Sequence, residues 1–310
     1  MSIRNVCLAA ATLAALAAPS LAGAETSPDG QPIMKHVSVA PDATVEVSNV
    51  QGRVEVATWD KNEVDLVAEL ESPKDELEFE ATERYVRIEV DRPSGKYRHD
   101  DDDDNQDDAT LTLRVPKGIR LIVDTVSADI AVSGLRGEQK LESVSGEVQT
   151  QAFDAPVRAT SVSGEVSVVG NGGKATVSTE NVSGTTTVGG IRGDYHGEVV
   201  SGEIRATVAA AQKLELNSVS GDIEINAELT PTSRVTMESV SGTLTLKIKP
   251  PVNAEFDVES FSGDIESCLG PKARSTSKYT PGSELNYTQG NGGARVEMQT
   301  LSGGISICDR

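Results

Sequence analysis

The sequence predicts an all-β fold: a single-stranded parallel β-solenoid (β-helix) with coils of about 18–21 residues. Three observations predict it. A short unit, V-S-G-acid-apolar-x-apolar, recurs down the chain, as in "SVSGEVSV" at 161 and "SVSGDIEI" at 218. Apolar residues alternate with period two on either side of that unit, the signature of strands with one inward face. The composition, with 28 glycines and only 3% aromatic residues, suits short strands and tight turns better than a core of large rings. Right-handed winding is the expected hand, since it is the default for parallel crossovers.

With the serine of each unit at position zero, the register runs Ser127, Ser145, Ser163, Ser183, Ser201, Ser220, Ser241, Ser262 and Ser302. The gaps are 18, 18, 20, 18, 19, 21, 21 and 40 residues. Glycine follows the serine as Gly146, Gly164, Gly184, Gly202, Gly221, Gly242, Gly263 and Gly303, and Ala128 takes its place in the first unit. Three residues after the serine stand Ile130, Val148, Val166, Thr186, Ile204, Ile223, Leu244, Ile265 and Ile305, which start a strand. Six and four residues before it, pairs such as Leu121/Val123, Leu214/Leu216 and Val296/Met298 form an earlier strand. Immediately before the serine every unit is apolar, from Val126 through Val219 to Phe261 and Leu301. That residue is out of phase with the earlier pairs, so a corner is expected there. The expectation is that the apolar residue turns inward and that glycine supplies a positive φ. Each coil then reads strand, corner at "VSG", strand, looser turn.

The ends are less regular. Residues 1–24 read as a cleaved signal peptide: a basic "MSIRN", an Ala/Leu-rich run from Val6 to Leu21, and a small-x-small site at Ala22–Ala24. The run is too short to suggest a membrane span. Cys7 has no small-residue lipobox before it, so no lipid anchor is expected. Residues 25–42 form a leader and 43–98 irregular N-terminal coils or a cap, within which "VQGRVEV" at 50–56 repeats the unit with Gln51 in the serine place. Residues 99–108 read as an acidic disordered loop, because so dense a run of aspartates cannot be buried. Residues 109–310 carry the regular solenoid, with a loop insertion near 270–296. Cys268 and Cys308 each stand six residues after their serine. If the insertion loops out, their strands are neighbours about 5 Å apart, and a disulfide forms in an oxidising compartment.

Charge narrows the function. The net charge is −20, or −21 once Arg4 leaves with the signal segment, which argues against nucleic acid and anionic lipid as partners. Nine serines in register share no repeated histidine, whereas a nucleophile needs an adjacent base. They read as a hydroxyl ladder. Two residues after the serine stand Asp129, Glu147, Glu165, Glu203, Asp222 and Asp264, broken by Thr185, Thr243 and Gly304. This column reads first as a solvated face and second as a weak strip for divalent cations. No cofactor and no catalytic residue is assigned. Trp59, the one tryptophan, reads as packing over the N-terminal turn.

The repeated "VSG[DE][IV]" units, the opening "VQGRVEVATWDKNEV" and the signal segment together resemble the bacterial "putative adhesin" domain family across residues 40–308. The resemblance implies a cell-envelope β-solenoid with a binding or scaffold role and no established catalytic residues. The chain ends at "SICDR" without an anchor, so a periplasmic or secreted protein is expected. Its expected partner is an envelope protein or polysaccharide. The alternatives are a β-helix polysaccharide-modifying enzyme, which needs a singular acid/base cluster, or an accessory protein of envelope-stress signalling.

Overall fold

A computed structural model describes residue 25 and residues 31–72, 74–91, 108–276 and 282–309. The signal segment and most of the acidic loop lie outside the described residues. Twenty-five strands and no helix are present among them. The first seven are β1 (Ile33–Ser38), β2 (Thr44–Trp59), β3 (Glu63–Leu70), β4 (Glu76–Ala81), β5 (Tyr85–Asp91), β6 (Ala109–Pro116) and β7 (Arg120–Ser133). The regular coils then use pairs of short strands: β8 (Gln139–Ser143) and β9 (Val148–Ala152), β10 (Val157–Ser161) and β11 (Val166–Gly170), β12 (Val177–Asn181) and β13 (Thr185–Ile191). They continue as β14 (Tyr195–Val199) and β15 (Glu203–Ala209), β16 (Lys213–Ser218) and β17 (Asp222–Glu228), β18 (Arg234–Ser241) and β19 (Leu244–Ile248). The last six are β20 (Ala254–Ser260), β21 (Ile265–Ser267), β22 (Arg274–Ser275), β23 (Ser283–Gln289), β24 (Ala294–Ser302) and β25 (Ile305–Cys308).

Each coil contributes one strand before the corner and one after it, and both ladders are parallel. Before the corner the order is β5, β2, β7, β8, β10, β12, β14, β16, β18, β24, β20. After it the order is β6, β2, β7, β9, β11, β13, β15, β17, β19, β25, β21. The parallel β-solenoid is thus the observed architecture.

Chain order and stacking order part at both ends. The β24–β25 coil, last in sequence, lies between the β18–β19 coil and the β20–β21 coil. At the other end β2, whose chain comes early, lies between the β5–β6 coil and β7. Simple succession along the chain is therefore the wrong picture for the terminal coils. Antiparallel strands cover the ends: β4 lies on β5, β3 on β6 and β1 on β3, while β23 lies on β20 and β22 on β23. Covered edges leave few free N–H and C=O groups to template aggregation.

The core is one continuous apolar column between the two ladders, with Leu121, Val123, Ile130, Leu214, Leu216, Ile223, Val296 and Met298 all buried. Each such side chain contributes about 1.5–3 kcal/mol when fully buried. One rung departs from the aliphatic rule. Tyr195 is wholly buried and its hydroxyl meets Thr179 Oγ1 at 2.9 Å. Gly197 makes room for it, because a Cβ there would stand 2.8 Å from the tyrosine oxygen.

Two expectations about the corner are corrected. Repeat glycines do not adopt positive φ; in the repeat frame only Gly52 does, at 106°. Glycine is required instead because the coils touch through it. A Cβ on Gly164, Gly184 or Gly221 would lie 2.0 Å from the carbonyl oxygen of the preceding coil's corner glycine. The apolar residue before the serine also does not turn inward. The inward phase of positions −6 and −4 continues to −2, where Ser143, Ser161, Asn181 and Ser218 are buried. Their side-chain oxygens accept the N–H of Gly146, Gly164, Gly184 and Gly221 at 2.8–2.9 Å. Two consecutive outward residues, the apolar one and the serine, then carry the chain round the corner.

Candidate functional site

Because the residue at −1 points outward, each coil whose corner is described places one apolar side chain on the surface there. In stacking order these are Val50, Val126, Val144, Val162, Val182, Val200, Val219, Val240, Leu301 and Phe261, and they are 40–62% exposed. At the parallel strand spacing of about 4.8 Å, the row is about 43 Å long. Neighbouring rungs cover the flanks of each side chain and leave its outer half in solvent. Scattered apolar residues on a surface are ordinary, but an unbroken line of ten is a patch of the kind that marks interaction sites.

Beside the ridge runs a groove. Its floor is the buried −2 residue and its far wall is the −3 residue. That wall carries Asp124, Glu142, Glu180, Glu198, Glu238 and Glu259, with Thr160, Asn217 and Gln299 between them. The groove deepens in two places. One hollow of about 390 Å³ lies against Val162, Val182, Val200 and Val219. Another of about 450 Å³ lies against Val240, Leu301 and Phe261.

Electrostatics differ along the groove. Glu142 lies 2.9 Å from Lys140, Glu180 lies 2.7 Å from Arg158, and Glu198 lies 3.1 Å from His196. Partial burial pushes the Asp124 carboxyl above its usual range, and the hydrogen bond with Glu142 adds to this. Glu142 is held below its own, since hydrogen bonds with Lys140 and Asp124 outweigh the effect of burial. Among the described residues, the carboxylates of Glu238 and Glu259 have neither an ion pair nor a hydrogen-bond partner.

Six of the nine serines form the expected ladder. Oγ of Ser127, Ser145, Ser163, Ser183, Ser201 and Ser220 donates to the ridge-residue carbonyl of the preceding coil at 3.2–3.4 Å. The partner is a carbonyl in each case, so none of these hydroxyls is activated. His196 sits between Glu198 and Glu215, and His36 faces Glu63 and Asp65, both away from the serines.

The acids two residues after the serine also lie in one row. Asp129 and Asp222 accept the backbone N–H of Glu147 and Thr243 in the next coil, at 2.9 and 2.7 Å. Asp129 also faces Arg53 at 3.5 Å, and Glu203 pairs with Arg205 at 2.7 Å. Glu147, Glu165 and Asp264 share the row without a cationic partner. No group of three His, Cys, Asp or Glu residues is placed to hold a metal ion among the described residues. Cys268 and Cys308 are joined, with S–S 2.01 Å and Cα–Cα 4.8 Å. Trp59 donates from Nε1 to the Glu63 carbonyl at 2.8 Å while Lys61 lies over its ring. No helix among the described residues is long and apolar enough to cross a membrane.

Sequence reasoning missed the ridge by turning its valines inward. The signal was available in the S/T/N-x-x-G spacing, which places a capping side chain at −2 and leaves no inward phase for −1.

The sequence model of the Toastrack DUF4097 family matches residues 43–308, nearly all of the solenoid. The chain belongs to the Toastrack DUF4097 family. No curated protein matches this Toastrack chain in sequence. Solved structures similar to it include a "putative lipid binding protein" from Parabacteroides distasonis, at 13% identity and TM-score 0.49, covering 90% of this chain and 98% of that one. A "putative adhesin" from Bacteroides fragilis has 12% identity and TM-score 0.36 over the same shares. A "putative adhesin" from Parabacteroides merdae has 9% identity and TM-score 0.38, covering 91% and 98%.

Proposed function

We propose that this Toastrack protein is an exported, non-catalytic β-solenoid of the cell envelope that binds a protein partner along its apolar ridge. The observation that carries the reading is the unbroken row of ten half-exposed apolar side chains. Leaving such a row in water costs solubility, and covering it recovers about 25 cal/mol per Å². The rigid double ladder holds the row straight, so a partner meets a preformed surface and loses little to ordering it. The −1 position faces outward in every coil whose corner is described, whereas a catalytic centre needs a single departure from the repeat. The disulfide and the N-terminal signal segment support placement in the periplasm or outside the cell.

The test is site-specific photo-crosslinking in intact cells. A photoreactive phenylalanine analogue at Val200 is expected to yield one discrete adduct, and the same group at Arg205, outward on the strand after the corner, none. Equal labelling from both positions, or none from Val200, would sink the reading.

A further inference from the structure

We infer that the C-terminal hollow of the groove recognises a lysine- or arginine-bearing polypeptide segment with interspersed apolar side chains. The inference rests on the ridge being a binding surface and specifies what it binds. The hollow of about 450 Å³ has two unlike walls. One is made by Val240, Leu301 and Phe261, the last being the most exposed member of the ridge. The other is made by Glu238 and Glu259 with Gln299 between them. The two carboxylates stand two rungs apart, about 10 Å. Both are exposed and unpaired among the described residues, unlike the carboxylates further up the groove, which have Lys140, Arg158 or His196 beside them. Among the described residues, none that lines the hollow carries positive charge.

The floor of the hollow is uncharged. Ser239 and Thr300 are more than nine-tenths buried, and their hydroxyl oxygens have no hydrogen-bond partner. A buried hydroxyl left unmatched costs free energy. Both side chains follow the inward phase of the −2 position, so these hydroxyls lie beneath the floor and recognition falls to the charged and apolar walls. An ammonium or guanidinium group between Glu238 and Glu259 makes charge-assisted hydrogen bonds, and an apolar neighbour rests on Leu301 and Phe261. The charge of −20 disfavours a second copy of this chain as occupant and speeds the approach of a basic one.

The probe is a fluorescently labelled heptapeptide of alternating lysine and leucine, acetylated and amidated, titrated with the full exported chain and followed by anisotropy. Binding is expected to weaken as salt rises. The double variant Glu238→Gln/Glu259→Gln should weaken it at least about tenfold, and Phe261→Ser several-fold. All three residues are exposed, so these variants fold. The charge-matched control Glu147→Gln/Glu165→Gln should change it less than twofold. Equal loss in the control, equal binding of a glutamate–leucine heptapeptide, or self-association that masks the ridge in sedimentation would each overturn the inference. If Val200 crosslinks in cells while Glu238→Gln/Glu259→Gln changes nothing, the cationic segment is wrong and the ridge reading survives. Silence at Val200 removes both.

Discussion

Ser302 lies directly beside Ser241 on parallel strands, although the whole coil carrying Ser262 separates them in the chain. The coil that follows Ser241 in sequence is displaced outward by one place, and the C-terminal segment fills the gap. Met298 consequently packs between Met237 and Val258, fully buried.

Cys268 and Cys308 join the inserted coil to its outer neighbour across 40 residues of chain. Closing a loop of that length stabilises by about 2–4 kcal/mol, mainly by restricting the unfolded chain. Cys308→Ser is expected to lower stability by that amount in denaturant titrations, with hydrogen exchange accelerated in β20–β25 and unchanged in β8–β17.

Gly202 and Gly189 separate two kinds of glycine. A Cβ at Gly202 would stand 1.9 Å from the Gly184 carbonyl oxygen, whereas at Gly189 nothing lies within 4 Å and φ is not positive. Gly202→Ala should cost about 1–3 kcal/mol, because two coils must move apart. Gly189→Ala should be neutral to slightly stabilising. Paired thermal melts check this.

Ser218 and Ser220 look alike in the repeat and do different things. Ser218 Oγ is buried, accepts from Gly221 N–H at 2.8 Å and donates to the Gly221 carbonyl at 2.7 Å. Ser220 is exposed and makes one 3.2 Å bond to the Val200 carbonyl. Ser218→Ala strands a buried donor and should cost about 1–3 kcal/mol. Ser220→Ala should cost at most about 1 kcal/mol, and the reverse order in chemical denaturation would refute this division of roles.

Asp124 gives a pH dependence with a definite sign. Its carboxyl is raised by partial burial and by the hydrogen bond with Glu142, so its charged form is disfavoured in the folded state. Its contribution to stability is complete below the unfolded value, about pH 4, and is lost as pH rises through the folded one. Asp124→Asn is therefore expected to melt higher than wild type at neutral pH, with the difference vanishing below about pH 4.

Much of the architecture was legible from periodicity. The serine frame, the two strands per coil, the neighbouring cysteines and the hydroxyl ladder all follow from counting along the chain. The corner was not, because the valines at −1 look like core residues by type. Only the small polar residue at −2, read as a cap for glycine N–H, reveals their outward phase. The order of the terminal coils was hidden for another reason. Any coil carries the same apolar columns, so the pattern around Val296/Met298 fits a place after Phe256/Val258 as well as the observed place before it. Ser239 and Thr300 could not be singled out either, since their lack of partners depends on neighbours from three separate coils.

The inserted terminal coil also sets a schedule. The residues that fill the penultimate place of the stack come later in the chain than those that fill the last place. A chain that folded as it emerged would set the Ser262 coil against the Ser241 coil and close the slot that Ser302 needs. The far end of this rod must therefore stay open until β24 and β25 arrive, and a factor that shields β20 from β18 during that interval would raise the yield of the native form.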